Sequence, residues 1–444
     1  MAQEKPQLIL QLSTTARTIA ALASIVAAFL PIETDAATVL AAVGDLGSSQ
    51  VGATHVASLV GSASWQTDFV LALGDNSGAN YAMGSPEWDD VIGRRYGQFI
   101  KKRSGTGAQT YPYQTSDVQR FFPVVGDHDR DISAGSAATG STAGYVDYFH
   151  SDPGTTTGRL PAGVHDSTQS YYDFELPIKG GPGSVHVFAM DSEAFAYSAD
   201  SQASQVEWLR DGLKNSTATW KFVTLHSPPF SSAVHNSNPL YQLPFQQWGA
   251  HAVMSGHDHV YERLSVTDAG QNNMPYFVNG LGGSTIYPFT ANRAPGSEFR
   301  YNQDFGAMRI TVSDAEAVFE FFSIDSFSGE EAVLVDSLIL NRDALPVPPV
   351  LGADFDDDGF VNDVDLSIWR SAVGVNATGD ANDDGFSDGA DYLLWQQQRS
   401  SFQPDHPPTV QVVPEPVSIF CGLQAAAALA IARRRLSSSH QLTA

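Results

Sequence analysis

Five short apolar runs in the first part of the chain each lead into side chains that can bind a metal ion. Thr38–Val43 leads into Gly44-Asp45-Leu46-Gly47, Phe69–Leu73 into Gly74-Asp75-Asn76, and Phe121–Val125 into Gly126-Asp127-His128-Asp129. Lys221–Leu225 ends at His226, and Ala252–Met254 leads into Gly256-His257-Asp258-His259. One such coincidence would mean little, whereas five in series make a pattern. Asp45, Asp75 and Asp127 with His226, His257 and His259 are hard and borderline donors, enough for two divalent or trivalent ions. A carboxylate shared between the ions would hold them roughly 3.5–4 Å apart, the spacing at which a metal pair activates water and clamps a phosphoryl group. The chain has a single cysteine, Cys421, so a cysteine-cluster site and an intramolecular disulfide are both excluded.

The runs themselves read as strands, and the acids and imidazoles follow their carboxyl ends. That is where open α/β sheets assemble their sites. At four of the five turns a glycine lets the chain bend sharply and present the ligand that follows.

The ordered series GDLG (44–47), GDN (74–76), GDHD (126–129), LHSPPF (225–230) and GHDHVYER (256–263) resembles the calcineurin-like metallophosphoesterases, most closely the purple acid phosphatases. The likeness covers about Thr38–Leu340. It implies an α/β fold, a β-sandwich of two mixed sheets flanked by helices. It also implies a pair of transition-metal ions (Fe, Mn or Zn), with Asp45 and His259 on the first, Asp75 bridging, and Asp127, His226 and His257 on the second. By the same resemblance His128 stands at the leaving-group oxygen, Asp129 orients its imidazole, and His235 contacts substrate. The implied reaction is hydrolysis of a small phosphate ester, monoesters before diesters, by a hydroxide bridging the metals.

The sequence departs from the family at three positions. Gly78 stands where these enzymes have the tyrosine that colours them and favours Fe³⁺, and Gly47 offers no ligand where other branches have a histidine. Asp127 replaces the usual asparagine, which adds negative charge facing an anionic substrate. These departures keep open a second reading, a surface or adhesion protein whose phosphatase site is degenerate.

Beyond the proline-rich break at residues 344–352 lies an acidic repeat. Asp354, Asp356, Asp358, Phe360, Asn362 and Asp365 recur as Asp380, Asn382, Asp384, Phe386, Asp388 and Asp391, at positions 1, 3, 5, 7, 9 and 12 of two twelve-residue loops with Gly359 and Gly385 at position 6. That spacing suits the oxygen shell of Ca²⁺, with position 7 serving through its carbonyl. Each loop runs into an amphipathic stretch, so residues 353–400 resemble a dockerin domain, a small α-helical unit of EF-hand type. The resemblance implies Ca²⁺ and a cohesin-type protein partner.

At the start, Lys5 and Arg17 precede the apolar run Ile19–Ile32 and a small-residue cleavage point, so residues 1–37 read as an export signal. After a second linker (401–412), residues 413–436 combine Val413-Pro414-Glu415-Pro416, the apolar stretch Val417–Ala432 and Arg433-Arg434-Arg435. This order resembles the PEP-CTERM sorting tail of bacterial envelope proteins, which implies membrane insertion and processing by an exosortase-type enzyme. The expected location is therefore outside the cell, at the envelope. Residues 38–343 are left as the catalytic domain. With 24 Lys and Arg against 49 Asp and Glu, the net charge of −25 excludes a general nucleic-acid-coating role, which needs a basic face.

Overall fold

The computed structural model describes residues 37–399, except 79–80, 104–109, 131–139, 152–169, 267–272, 327, 330–331 and 346–349. The expected export signal (save Ala37), the second linker and the sorting tail lie outside the described residues. Among the described residues, no helix is long and apolar enough to cross a membrane.

In chain order the principal elements are β1 (Thr38–Val43), α1 (Val51–Val60), β2 (Phe69–Ala72), β3 (Phe121–Pro123), β4 (Tyr172–Pro177), β5 (Ser184–Ala189), α2 (Ser192–Tyr197) and α3 (Ala199–Asn215). They continue with β6 (Trp220–Thr224), β7 (Ala252–Ser255), β8 (Tyr261–Val266), β9 (Met274–Asn279), β10 (Ser297–Tyr301), β11 (Phe305–Val312), β12 (Glu316–Ile324) and β13 (Val333–Asn341). Two helices close the described chain, α4 (Asp363–Ala372) and α5 (Gly389–Gln398).

The strands form two mixed sheets, ordered β13-β12-β11-β1-β2-β3 and β10-β8-β9-β7-β6-β5-β4. In the first the parallel strands β1-β2-β3 form one end of the sheet with antiparallel strands beyond β1, and in the second the parallel strands β5-β6-β7-β9 form the centre with antiparallel strands on both sides. Parallel strands in a covered sheet are buried on both faces and read as continuous apolar runs. In β1, Leu40 and Ala42 enter the core between the sheets, while Ala41 and Val43 join a second core outside the first sheet with Val56 and Val60 of α1. Outside the second sheet, Trp208, Leu209 and Leu213 of α3 cover Phe188 and Val223. The α/β sandwich of two mixed sheets with flanking helices is thus the architecture expected.

The sheets meet through aromatic rings. Phe319 of β12 stacks on Phe277 of β9 at 4.9 Å between centroids and meets Phe222 of β6 edge-on at 5.6 Å. Such pairs contribute beyond the area they bury.

Residues 353–399 fold as two loop–helix units joined reciprocally. Asn362 and Asp388 cap α4 and α5 with matching capping boxes. Trp369 Nε1 of α4 donates to Asp388 O at 2.8 Å, and Trp395 Nε1 of α5 donates to Asn362 O at 2.7 Å. Each helix therefore braces the loop that precedes the other.

Because Phe319 of the first sheet packs its ring on two rings of the second, Phe319→Ala is expected to cost about 3–5 kcal/mol, read as a lowered urea midpoint with an unchanged m-value.

Candidate metal centre

All the parallel strands of each sheet end at the same rim, and the expected ligands are carried there. Asp45 follows β1, Asp75 follows β2, Asp127 follows β3, His226 follows β6, and His257 and His259 follow β7. Asp45, Asp75 and His257 hold left-handed backbones, with φ of 57°, 51° and 66°. Non-glycine residues rarely adopt this conformation, and its cost is typical of functional sites. Here it turns three donors back toward one centre.

Two overlapping groups can each bring their donor atoms within 4.8 Å of one another, Asp127 with His226 and His257, and Asp45 with Asp75 and His226. A third joins Asp75, Asp127 and His128. His226 Nε2 lies 3.1 Å from Asp127 Oδ1 and 3.3 Å from Asp75 Oδ1. His257 Nδ1 lies 3.2 Å from the same Asp127 oxygen, and His259 Nε2 lies 3.1 Å from Asp45 Oδ1. His226 belongs to the first two of these groups, and Asp75 to the second and third.

The imidazoles are aimed by their outer nitrogens. Buried His226 donates from Nδ1 to Leu73 O at 2.8 Å, and His259 donates from Nδ1 to Thr285 O at 2.6 Å, so both present Nε2 to the carboxylates. This is the outer-nitrogen anchoring typical of metal-binding histidines. Asp45 is fully buried, and its Oδ1 has no hydrogen bond aimed at it despite the nearby His259. Its Oδ2 accepts from His257 N at 2.9 Å.

The charge balance points the same way. Burial pushes the Asp75 pKa well above the carboxylate range, and Asp127, Asp45 and Asp129 push it further, against the pull of His226. Burial also opposes charge on His226, but Asp75, Asp127 and Asp45 outweigh it and hold that pKa well above the usual imidazole value. Such a crowd of acids keeps its charge only if cations balance it. The donor types, the directed nitrogens and the orphaned Asp45 oxygen together fit a pair of transition-metal ions.

His128 is half exposed at the mouth, with Nε2 3.8 Å from Asp127 Oδ2. Its backbone N–H donates to Asp75 Oδ1 at 3.0 Å. Asp129 departs from the orienting role expected of it. Its buried carboxylate accepts from Gly126 N, Asn76 N, Asn76 Nδ2 and Ser77 N at 2.8–3.1 Å. Those donors make it a brace tying the loop after β3 to the loop after β2.

His235 reaches the site from a loop. It stacks on His257 at 4.1 Å and donates from Nδ1 to buried Asp258 at 2.9 Å. The bond to Asp258 raises its pKa above the usual value. Asp258 is thus its orienting partner, a role its place inside the GHDH motif conceals because both neighbours are ligand candidates. Tyr287 was also invisible in the sequence. It stacks on His259 at 4.0 Å and 13°, and nothing in its local sequence marks it.

The two glycine departures have one cause. A Cβ on Gly78 would lie 2.6 Å from Gly47 O, and a Cβ on Gly47 would lie 2.3 Å from the Ser77 carbonyl carbon. The loops after β1 and β2 pass too closely for either side chain. Tyr81 does not substitute, since its ring packs edge-on against Trp88 at 5.8 Å.

In the acidic repeat, Asp354, Asp356 and Asp365 can bring carboxylate oxygens within 4.8 Å of one another. The loops share an internal hydrogen-bond pattern. Asp354 accepts from Asp358 N and Gly359 N, and Asp380 accepts from Asp384 N and Gly385 N. Asp365 and Asp391 each accept two backbone N–H groups, from Phe355 and Asn362 and from Ala381 and Asp388. Burial, followed by repulsion among its acids, pushes Asp354 up to about 7 and Asp358 up to about 6. A first loop built this way fits a hard cation.

The calcineurin-like phosphoesterase family model matches residues 38–261. The chain belongs to that family. Its fold is similar to that of GAP50, the anchor in the inner membrane complex of Plasmodium, with a TM-score of 0.50 at 17% identity over 69% of this chain and 89% of that one. Purple acid phosphatase PPD1 from yellow lupin seeds (Lupinus luteus) gives a TM-score of 0.48 at 16% identity, over 69% of this chain and 54% of that one. PhoD gives 0.44 at 13% identity, over 69% and 70%. No curated protein matches the chain.

Two outcomes follow from this geometry. Gly78→Ala should lower stability by about 1–3 kcal/mol through overpacking, seen in thermal unfolding, and Gly78→Tyr should fail to create a visible charge-transfer band in the iron-loaded protein. Asp258→Asn should bring the His235 pKa, followed by NMR in the metal-free protein, back down toward its ordinary value. The stability that the His235–Asp258 pair adds is full between the unfolded-state pKa of the aspartate and that of the histidine, and it fades as pH rises through the raised His235 pKa or falls through the lowered Asp258 one, so the variant should cost most in mildly acidic solution and least at either extreme.

Proposed function

We propose that the chain is an exported phosphatase that hydrolyses small phosphate monoesters at a dinuclear centre. The observation that carries the reading is the convergence of six donor side chains from five strand ends on one rim, three of them on left-handed backbones. Asp45 and His259 would hold one ion, Asp127, His226 and His257 the other, and Asp75 both. When bound, two such ions supply Lewis acidity toward a phosphoryl group and lower the pKa of water.

The remaining roles belong to the chain. His128, half exposed at the mouth, is placed to donate a hydrogen bond or proton to the leaving oxygen. His235, whose pKa is raised by its bond to Asp258, offers a second donor to an anionic ester. Asp129 keeps the Asp75 and Asp127 loops in register. Asp127 in place of a neutral amide lowers the positive charge facing substrate, which favours harder ions.

Residues 353–400 are proposed to bind Ca²⁺ in a dockerin-like fold able to take a cohesin-type partner. Residues 413–436 are proposed as a tail sorted to the envelope by an exosortase-type enzyme. A phosphodiesterase of the same fold is the nearest alternative.

Metal content and turnover of p-nitrophenyl phosphate and bis-p-nitrophenyl phosphate test the reading together. We expect two transition-metal ions per chain, a faster rate on the monoester, and loss of both rate and paired metal in Asp75→Ala. Faster diester turnover would select the alternative. One ion or none, with no turnover after loading with Mn²⁺, Zn²⁺ or Fe²⁺, would leave a degenerate surface protein.

A further inference from the structure

The two acidic loops have the same spacing of oxygen-bearing side chains and matching internal hydrogen bonds but lie in different surroundings. Loop 1 (354–365) touches the catalytic domain. Lys214 Nζ, in the last turn of α3, lies 2.5 Å from Asp357 Oδ1 and donates to Asp357 O at 3.1 Å. Trp248 Nε1 donates to Asp358 O at 3.0 Å from a buried indole. Gly359 fits so closely that a Cβ there would come within 2.5 Å of Trp248 Nε1 and 2.8 Å of Pro244 Cγ. In loop 2 (380–391), Gly385 has nothing within 4 Å. Phe360 is 9% exposed, and its counterpart Phe386 is 70% exposed.

The atoms used at this contact decide what it can do. A twelve-residue calcium loop coordinates through the side chains of positions 1, 3, 5, 9 and 12 and the carbonyl of position 7. The catalytic domain takes the side chain and carbonyl of Asp357, position 4, and the carbonyl of Asp358, position 5. None of these is needed for coordination. Asp357 and Asp383 hold matching left-handed backbones, with φ of 58° and 60°, so the conformation that presents position 4 belongs to the loop itself. Only loop 1 has found a surface to meet it.

We propose that α3 and the Pro244–Trp248 turn form a docking surface for this chain's own first acidic loop, and that calcium in that loop fastens the module to the catalytic domain. This rests on the calcium reading above. Coordination draws positions 1, 3, 5 and 12 together and so fixes the backbone whose outward atoms meet Lys214 and Trp248. By linkage, the docked surface must raise the calcium affinity of loop 1 in return. Loop 2, with no such surface, keeps its intrinsic affinity and leaves its end of the module open.

The test is calcium titration of the full chain by calorimetry, with Asp380→Ala isolating loop 1 and Asp354→Ala isolating loop 2. Lys214→Glu gives the decisive sign. Coulomb's law alone makes replacement of a cation by an anion beside the loop strengthen calcium binding. Docking requires loop 1 to weaken, by at least about fivefold, with loop 2 unchanged. Trp248→Phe, which keeps the ring and removes the donor, should weaken loop 1 in the same direction. Calcium should slow hydrogen exchange at residues 244–249 in the wild type and not in Lys214→Glu, while ester hydrolysis stays unaltered. Calcium bound at both loops with loop 1 unchanged or tighter in Lys214→Glu would overturn the docking and leave the calcium reading intact. No calcium bound at either loop would overturn both.

Discussion

The structure is organised around a repulsion. Asp45, Asp75, Asp127 and Asp129 are drawn into one buried rim, where each raises the cost of charging Asp75. In a medium of low effective dielectric such a cluster cannot remain ionised on its own. The rest of the fold opposes that tendency. Strand pairing fixes where the loops begin, Asp129 ties two loops together with three hydrogen bonds, and outer-nitrogen bonds lock the rings of His226 and His259. The energy stored in the crowding is what makes the rim receptive to cations.

Close approach at the rim also limits what the chain can place there. The loops after β1 and β2 nearly touch at Gly47 and Gly78, so the absent tyrosine and the absent histidine are one steric fact. On the proposed assignment, Asp45, Asp75 and His259 would be the protein ligands left to the first metal position. Tyr287 stacks on His259 on one side and meets His235 edge-on on the other, which restrains both rings.

The acidic repeat shows how context divides like from like. Two loops with the same spacing and internal hydrogen bonds differ in burial because one meets Lys214, Pro244 and Trp248 and the other meets solvent. The reciprocal Trp369 and Trp395 bonds couple the halves, so an event at one loop is felt by the helix that braces the other.

Much of this was legible in the amino-acid order. The apolar runs before Asp45, Asp75, Asp127, His226 and His257 determine strands buried on both faces, and the turn glycines determine where the ligands fall. The repeat at 354–391 determines two loops of one design, because local spacing alone sets which backbone N–H groups each carboxylate can reach. Tertiary structure decided the remainder. Asp129 became a brace because Asn76 and Ser77 arrive beside it from a separate strand, more than fifty positions earlier in the chain. Asp258 became the partner of His235 because a loop folds back over β7. Tyr287 joined the site with no local signal at all. Contacts between residues far apart in sequence depend on how sheets close and loops cross, and no local pattern encodes them.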